Sequence, residues 1–270
     1  MGGQSSLWIM DSFVAVAFAH FNKIKGKKVI IIHHIDHSVF PLALRPFFYF
    51  LEKIFHIKAK KADVIITVSK YWQSYFFKKG YKNVKLIYNS FDEKNFDFLE
   101  KEIEEFLKNY GFDERPIIYI GNSLKAKGVV ESYEALKSLN VNLVTSGKKT
   151  VDIPAKNFNL EYENYLKLIK ASIIVVTMSK FKEGWCATAH EAMMCKTPVI
   201  GSGVGGMMEL LEDGKQIVCK DFKNLKSEVE KILNNEDLRK SLGERGFEYA
   251  KNFAREKFNK DWLELISNLT

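Results

Sequence analysis

The stretch SIIVVTMSKFKEGWCATAHEAMMCKTPVIGS, residues 172–202, contains a complete strand–helix–strand unit. The run of Ile and Val within 172–179 predicts a buried strand, the segment through 190–195 predicts a helix, and 197–202 predicts a second strand. Strands of continuous β-branched residues that are separated by a helix favour a parallel sheet covered on both faces. This unit therefore indicates an α/β protein.

The same alternation extends over most of the chain. Further strands are expected at 7–10, 29–35, 63–69, 84–88, 116–121 and 141–147. Residues 89–111 are charged and predict a linker followed by a solvated helix, so we place a domain boundary there. The predicted fold is two Rossmann-like, doubly wound parallel-sheet domains in tandem, 1–92 and 93–270, with the last helix free to pack back on the first domain. In such sheets, ligands bind outside the carboxyl ends of the strands.

The composition indicates a folded protein of a reducing compartment. Of the 270 residues, 46% are hydrophobic and 13% aromatic, which is enough for a packed core. Neither a signal-peptide pattern nor an apolar run long enough to cross a bilayer is found in the sequence. The three cysteines, Cys186, Cys195 and Cys219, form no CxxC motif and no disulfide framework. These features predict a cytoplasmic location.

The positive charge is confined to the first third of the chain. Residues 1–90 contain 14 Lys and Arg against 4 Asp and Glu, a net charge of +10, whereas residues 91–270 contain 27 against 29, a net charge of −2. The asymmetry favours an anionic partner such as a lipid surface or a phosphorylated acceptor. Lysines that only keep the chain soluble are the alternative. Nucleic acid is not an expected partner, because no nucleic-acid-binding motif is present.

Three motifs carry a resemblance to a known family. They are EGWCATAHEAMMCKTPVIGSGVGGMMELLEDGK (183–215), ADVIITVSKYWQSYFFKKGYKNVKLIYNSFDEKNF (62–96) and YIGNSLKAKG (119–128). The first follows a Glu-x7-Glu donor-site signature, the second a strand–helix unit, and the third a glycine-bounded phosphate loop. In this order, over roughly residues 7–250, they resemble glycosyltransferase family 4, which is retaining and has the GT-B fold.

The resemblance assigns roles to charged residues. It implies that Glu191 holds the ribose hydroxyls of a nucleotide-sugar donor and that Glu183 contacts sugar hydroxyls near the anomeric carbon. Lys127 keeps the second cation of the phosphate loop. The Arg that usually follows the loop glycine is replaced by Asn122, and Lys125 is a partial substitute for it.

A histidine at the end of the predicted strand 29–35 is a further catalytic candidate. The family often carries a His there that contacts the sugar or polarises the acceptor, and His34 matches it. Because strand residues alternate, His33 and His34 point to opposite faces and at most one of them faces the cleft. His37 is a third candidate. The group also suggests a metal cluster with Asp36, which strand parity disfavours. The predicted catalytic residues are therefore Glu183, His34 and Lys127.

The remaining predicted donor contacts come mainly from main-chain groups in loops. They are Gly121, Gly184, Trp185, Cys186, Gly205 and Gly206. No Asp-x-Asp motif occurs, so protein cations and helix N-termini are expected to neutralise the departing diphosphate. Neither a metal nor a resident cofactor is expected.

The predicted function is transfer of a sugar from a UDP- or GDP-sugar to a glycan or lipid-linked acceptor with retention of configuration and without a metal. The complete amino-terminal domain of the family has two or three strand–helix units before the one that begins here at Leu7, so this domain is expected to be truncated. The alternative is a catalytically weak GT-B remnant that acts as a binding or partner subunit. An exposed sheet edge would favour a homo-oligomer. Sugar-nucleotide epimerisation is a minor enzymatic alternative.

The helix LRPFFYFLEKIFHIKAKKA, residues 44–62, has two interpretations. It combines four Phe and one Tyr with several cations. One interpretation is an ordinary amphipathic helix with one face in the core and the other in solvent. The other is a membrane-surface helix that brings the protein to a lipid-linked acceptor as a peripheral membrane protein.

Overall fold

The computed structural model describes residues 6–269, which contain two parallel β-sheets. The elements of the first are β1 (Leu7–Met10), α1 (Phe13–Phe18), β2 (Lys27–Ile32), α2 (Arg45–Ala59), β3 (Val64–Thr67), α3 (Lys70–Lys78) and β4 (Val84–Leu86). The strand order is β1-β2-β3-β4. All four residues of β3 are buried, as expected for a strand that is covered on both faces.

The second sheet has six strands. Its elements are α4 (Glu100–Asn109), β5 (Ile117–Asn122), α5 (Val129–Leu136), β6 (Asn142–Ser146), β7 (Lys156–Phe158), α6 (Tyr162–Ala171), β8 (Ile174–Thr177), α7 (Ala187–Met194), β9 (Val199–Gly201), α8 (Met207–Asp213), β10 (Ile217–Val218), α9 (Phe222–Leu233) and α10 (Glu236–Ala250). The order β10-β9-β8-β5-β6-β7 means that the chain winds outward in both directions from the pair β5–β8. A ligand crevice is expected at this switch point.

Short 3-10 turns and a last helix complete the described residues. The 3-10 turns are Phe21–Lys23, His37–Val39, Leu42–Leu44, Glu93–Phe96, Lys125–Lys127 and Lys251–Phe253, and the last helix is α11 (Arg255–Ser267). No described helix has the length and the apolar character needed to cross a membrane.

Separate apolar clusters cover the two faces of the second sheet. One includes Leu166 of α6 and Ala189 of α7. The other includes Val129 of α5 and Val229 of α9. Burying both faces of a β-branched sheet is the main favourable term in its folding, and it leaves the strand ends as the polar, ligand-accessible edge.

Helix α11 returns to the first sheet. Its Leu265 is buried against Val29, Val64 and Ile66, with Trp262 beside them. The chain therefore crosses between the two sheets twice, and Phe91 and Ala254 pair in an isolated parallel bridge at the crossing. The boundary between residues 92 and 93 stays a prediction.

Two strand predictions differ from the structure. Strand β2 ends at Ile32, not at residue 35, and the chain bends at His33, where Gly184 approaches its carbonyl oxygen. The strand at 29–35 was therefore predicted too long. Strand β7 was not predicted, because its sequence Lys-Asn-Phe lacks the β-branched residues that mark a strand.

Candidate active site

Lys127 and Glu183 form an ion pair at the switch point of the second sheet. Lys127 ends the turn after β5, and Glu183 lies in the loop after β8. The Lys127 Nζ lies 2.6 Å from the Glu183 Oε1, and the hydroxyl of Ser179 donates to the same oxygen. Two residues 56 positions apart thus meet because the carboxyl ends of β5 and β8 are neighbours.

The surroundings keep the Lys127 ammonium group charged. Burial alone lowers the pKa of the Lys127 ammonium group, but its acidic neighbours, among them the hydrogen-bonded carboxylate of Glu183, outweigh burial, so the pKa is raised above its ordinary value. The ammonium group also lies 5.1 Å from the centre of the Phe181 ring, an attractive cation–π contact. The positively charged ammonium group of Lys127 is thus held at the edge of the crevice where strands β5 and β8 end.

His34 enters this crevice from the first sheet. Its ring centre lies 5.5 Å from that of Phe181. Burial lowers the pKa of His34, and the negative charge of Glu183 offsets this only in part, so the imidazole is neutral near pH 7. His33 is exposed. His37 is buried, and its Nε2 lies 2.7 Å from the Glu52 carboxylate, which leaves it a structural role.

Glu191 lies on α7 and is held by two tyrosines. The Tyr165 hydroxyl donates to its Oε2 at 2.8 Å, and the Tyr162 hydroxyl donates to its Oε1 at 3.2 Å. Burial raises the pKa of Glu191 above its ordinary value, and the two tyrosine hydrogen bonds act in the opposite direction. A carboxylate fixed in this way can accept hydrogen bonds from two vicinal hydroxyls.

The loop of Gly205 and Gly206 packs against the backbone of the Glu183 loop. Gly205 and Glu183 form an isolated parallel bridge, and the Gly206 amide donates to the Glu183 carbonyl oxygen at 2.9 Å. Gly205 has a φ of 75°, and a Cβ on Gly206 would overlap the carbonyl oxygen of Gly184. The close crossing of the two loops therefore requires glycine.

Residues 184–186 lead from this loop into α7. The Trp185 side chain is 2% exposed and donates to the His190 Nδ1 at 2.9 Å, so only its main chain is available for the predicted donor contact. Cys186 has a φ of 71°, a strained backbone for a residue with a Cβ. Burial raises the pKa of its thiol to about 12. The thiol is therefore neutral, and the strained backbone sets the start of the helix.

The phosphate-loop residues occupy two places. Gly121 and Asn122 end β5, and the Asn122 Oδ1 accepts a hydrogen bond from the Tyr119 hydroxyl at 3.0 Å. Asn122 therefore holds the strand end and supplies no charge in place of an arginine. Lys125 is exposed and lines a different cavity, between the two sheets. Of the two loop lysines, Lys127 is the one that the structure brings to Glu183.

The two halves of the crevice are connected by direct hydrogen bonds. The Trp72 Nε1 donates to the Glu183 carbonyl oxygen at 3.0 Å, and the Lys182 amide donates to the Asp36 Oδ2 at 2.7 Å. Near them, the Lys70 amide donates to Glu209 at 2.8 Å. These contacts fix the position of Glu183 relative to the first sheet.

Several of these residues were not predicted as site residues. Ser179 and Phe181 follow β8 and Tyr165 lies on α6, but nothing in their spacing distinguishes them from packing residues. Their position after a strand was the available signal for Ser179 and Phe181. Among residues 6–269, no group of three or more His, Cys, Asp or Glu side chains is arranged to hold a metal ion.

Comparison with known proteins gives the class of the chain. Residues 100–249 match the family described as "Glycosyl transferases group 1", which covers more than half of the 270 residues. The chain therefore belongs to the group 1 glycosyl transferases. The predicted resemblance is confirmed at the level of this family, and the enzyme class that it defines is that of a glycosyltransferase.

Relatives and solved structures agree with this. An uncharacterised glycosyltransferase of Methanocaldococcus jannaschii is 28% identical over 254 residues, which are 87% of this chain and 67% of that protein. The N-acetyl-alpha-D-glucosaminyl L-malate synthase of Bacillus anthracis is 26% identical over 221 residues, 73% of this chain and 57% of that protein.

Among solved structures, Anabaena HepE in complex with UDP-glucose has a TM-score of 0.84 at 19% identity, over 98% of this chain and 79% of that one. Sucrose-phosphate synthase from Thermosynechococcus elongatus has a TM-score of 0.82 at 19% identity, over 98% of this chain and 73% of that one. The predicted α/β class and GT-B fold are confirmed.

Proposed function

We propose that this chain transfers a sugar from a UDP- or GDP-sugar to an acceptor hydroxyl, with retention of the anomeric configuration and without a metal ion. The observation that carries the proposal is the buried ion pair of Lys127 and Glu183, which lies at the switch point with His34 opposite it. The UDP-glucose complex of Anabaena HepE, which has the same fold, supports a nucleotide-sugar donor.

The leaving diphosphate is neutralised by protein groups. The Lys127 ammonium donates hydrogen bonds to the diphosphate while it stays paired with Glu183, and the first N–H groups of α7, which lack intrahelical acceptors, supply partial charges. Glu191 on the same helix accepts the ribose hydroxyls. The diphosphate thus lies between Lys127 and the start of α7, and these groups stabilise the negative charge that develops on it in the transition state.

The sugar lies between Glu183 and His34. Because Glu183 is already bonded to Lys127 and Ser179, it orients sugar hydroxyls and does not act as a free nucleophile. The bond from the anomeric carbon to the phosphate oxygen breaks, the acceptor oxygen bonds to the same face, and its proton passes to the leaving phosphate. Neutral His34 accepts or donates a hydrogen bond at the sugar or acceptor hydroxyl.

Donor binding and one substitution test the proposal. Calorimetric titration with UDP-, GDP- and ADP-sugars should show binding to one class. The substitution Glu183→Ala should lower the transfer or hydrolysis rate by about 100-fold, whereas Glu163→Ala, which removes an exposed glutamate of an α6 ion pair, should leave it unchanged. Turnover by the isolated chain would exclude a non-catalytic partner subunit. Absence of donor binding together with a fully active Glu183→Ala variant would refute the proposal.

The reaction rate in the presence of a chelator tests the proposed metal independence. If protein groups alone neutralise the diphosphate, the rate in excess EDTA should equal the rate in buffer, and added Mg²⁺ or Mn²⁺ should not raise it. A rate that EDTA abolishes and a divalent ion restores would show that a metal is needed.

We further propose that the outward face of α2 contacts an anionic membrane surface. Phe50 and Ile57 on this face are 59% and 68% exposed, and Lys53 and Lys60 beside them are also exposed. The only acidic residue of the helix, Glu52, is turned inward. The outward face is therefore both apolar and positively charged, which fits anionic lipid headgroups.

Vesicle sedimentation tests the membrane contact. The protein should bind vesicles that contain phosphatidylglycerol and not vesicles of phosphatidylcholine alone, and Phe50→Ser with Ile57→Ser should abolish the binding. The control is Leu263→Ser, which removes an equally exposed apolar residue of α11. Equal sedimentation of the double variant and the wild type would contradict the proposal.

A further inference from the structure

A second cavity lies beside the candidate active site and is lined by both halves of the protein. Its volume is about 580 Å³, within the range of pockets that bind small molecules. Residues 38–42 and Arg45 line one side, and Lys125, Ala126, Lys180 and Phe181 line the other. None of the roles proposed above uses this space.

The lining of this cavity is positively charged. Arg45, Lys125 and Lys180 contribute three cations, and no acidic side chain lines the cavity. Lys180 is neutralised by Glu131, at 2.6 Å, but Lys125 forms no ion pair with any residue of 6–269. An unneutralised pair of cations in a concave site attracts an anion.

Arg45 is fixed in place by the loop that lines the cavity. Its Nε donates to the Phe40 carbonyl oxygen at 3.2 Å, and one terminal nitrogen donates to the Ser38 carbonyl oxygen at 3.1 Å. The guanidinium group has five N–H donors, so the remaining ones are available to a ligand. A preorganised guanidinium group and an exposed ammonium group form a combination that suits a phosphate.

Phe181 connects the cavity to the reacting groups. It lines the cavity, and its ring also lies against His34, at 5.5 Å, and against the Lys127 ammonium group, at 5.1 Å. A ligand that fills the cavity therefore ends beside the residues proposed to hold the sugar. This is the position that an acceptor needs.

We propose that this cavity binds a phosphate group of the acceptor, through Arg45 and Lys125. The inference rests on the proposed function and specifies its acceptor as a phosphorylated molecule. Pro41 and Leu42 add an apolar wall, which suits either the carbon skeleton of a soluble phosphate ester or the chain of a lipid phosphate. Lys125 thus acts on the acceptor side, whereas Lys127 acts on the donor side.

The test uses the full chain with its donor site filled by UDP or GDP, whichever the wild type binds. Calorimetric titration with sn-glycerol 3-phosphate reports a soluble phosphate ester, and sedimentation with phosphatidylcholine vesicles that contain phosphatidic acid reports a lipid phosphate. Lys125→Gln should weaken binding of the recognised probe by about tenfold, equivalent to about 1.4 kcal/mol. Lys108→Gln, the same charge change at an exposed position of α4, should not.

The outcomes distinguish a soluble phosphate from a lipid-borne one. They also distinguish failure of this inference from failure of the proposed function. Binding of the soluble ester indicates a soluble acceptor, and binding only to phosphatidic acid vesicles indicates a lipid-borne one; either supports the phosphate site if Lys125→Gln weakens it. Equal binding by Lys125→Gln and Lys108→Gln, or no binding of either probe, overturns the inference. Binding of UDP and of GDP by the wild type is measured first and reports the donor site alone, so failure of both counts against the proposed function and not against the cavity.

Discussion

At the scale of single residues, the ion pair of Lys127 and Glu183 has a cost in stability. Burying two charges requires desolvation, and the attraction between them commonly does no more than offset that cost. Removing one partner of a buried pair costs about 3–5 kcal/mol, because the other charge stays buried alone. A buried pair of this kind adds little net stability, which agrees with the proposed role of Lys127 in binding an anion.

The tyrosines around Glu191 give a prediction about donor affinity. In Tyr165→Phe the carboxylate loses its 2.8 Å donor, so the pKa of Glu191 rises further above its ordinary value. The affinity for UDP should fall by about tenfold near pH 7. Because protonated Glu191 accepts fewer hydrogen bonds, the loss should be larger near about pH 5.5.

Calorimetry of UDP binding at the two pH values measures this effect. Tyr162→Phe is the matched variant, since its hydroxyl makes a longer bond of 3.2 Å and its side chain is partly exposed. It should have the smaller effect. If Tyr165→Phe binds UDP as tightly as the wild type at both pH values, Tyr165 is only a packing residue.

His34 gives a prediction about pH dependence. Burial lowers its pKa from 6.5, which means that the neutral form persists as the pH falls through 6.5. If the neutral imidazole contacts the sugar or acceptor, kcat/KM should decline only below pH 6.5. The pH profile of His34→Gln should be lower throughout and should lack this decline. A wild-type decline centred above pH 6.5 would exclude a neutral His34 as its cause.

At the scale of elements, the single acidic residue of α2 is turned inward and held in a hydrogen-bond network, so it does not lie on the outward face. Glu52 accepts hydrogen bonds from His56, His37 and Tyr75, at 3.3, 2.7 and 2.9 Å. The bond from His56, followed by those from His37 and Tyr75, lowers the pKa of Glu52 to about 2 against the effect of burial. The network attaches α2 to the 3-10 turn that begins at His37, which precedes the cavity-lining loop.

This network predicts an acid-dependent loss of stability. With a pKa of 4.5 unfolded and about 2 folded, Glu52 stabilises the fold fully above pH 4.5 and loses the contribution as the pH falls towards 2. After a discount for partial exposure, the contribution at pH 7 is about 2 kcal/mol. In urea unfolding, Glu52→Gln should be less stable at pH 7 by about this amount.

The difference between variant and wild type should shrink as the pH falls from 4.5 to 2, since the protonated carboxyl group resembles the amide. Glu134→Gln, which alters an exposed surface ion pair, should follow the wild type at every pH. A constant difference across this range would mean that packing and not charge explains the effect of Glu52→Gln.

The elements that the sequence predicted correctly are those with a strong local pattern. Strands such as β3 and β8 are continuous β-branched runs, and their burial on both faces follows from that composition. Strand β7 and the early end of β2 depend on neighbours that are distant in sequence. Parallel pairing with β6 forms β7, and the approach of Gly184 accompanies the bend after β2. No local pattern records either contact.

At the scale of the whole molecule, α11 joins the end of the chain to its beginning. Leu265 is 2% exposed and packs on the first sheet, whereas Leu263 on the same helix is 65% exposed. Leu265→Ala should therefore lower the free energy of unfolding by about 2–4 kcal/mol. Leu263→Ala should change it by less than about 0.5 kcal/mol.

Urea unfolding, followed by circular dichroism, measures both variants. Helix α11 follows the second sheet in sequence but packs on the first sheet. Leu265→Ala should therefore change the free energy of donor binding by less than it changes the free energy of unfolding. Equal stability of the two variants would show that the contact of α11 with the sheet contributes nothing.

The sequence predicted only part of the candidate site, because some of its contacts join residues that are distant in the sequence. Its charged residues Lys127 and Glu183 follow strands and Glu191 lies within α7, and strand ends are recognisable in the sequence. The cavity formed by Arg45 and Lys125 was not, because it exists only where the two halves meet. Trp185 lies inside a motif, but its side chain lies in the core, so the predicted donor contact can come only from its main chain.

The double crossing of the chain limits how the two halves can move relative to each other. Phe91 and Ala254 pair side by side, and Arg255 adds an ion pair with Asp92, at 3.1 Å. Because both crossings of the chain lie at the same place, the two halves can rotate about an axis through that place but resist sliding past each other. Any opening that keeps this crossing intact must break the hydrogen bonds from Lys182 to Asp36 and from Trp72 to Glu183.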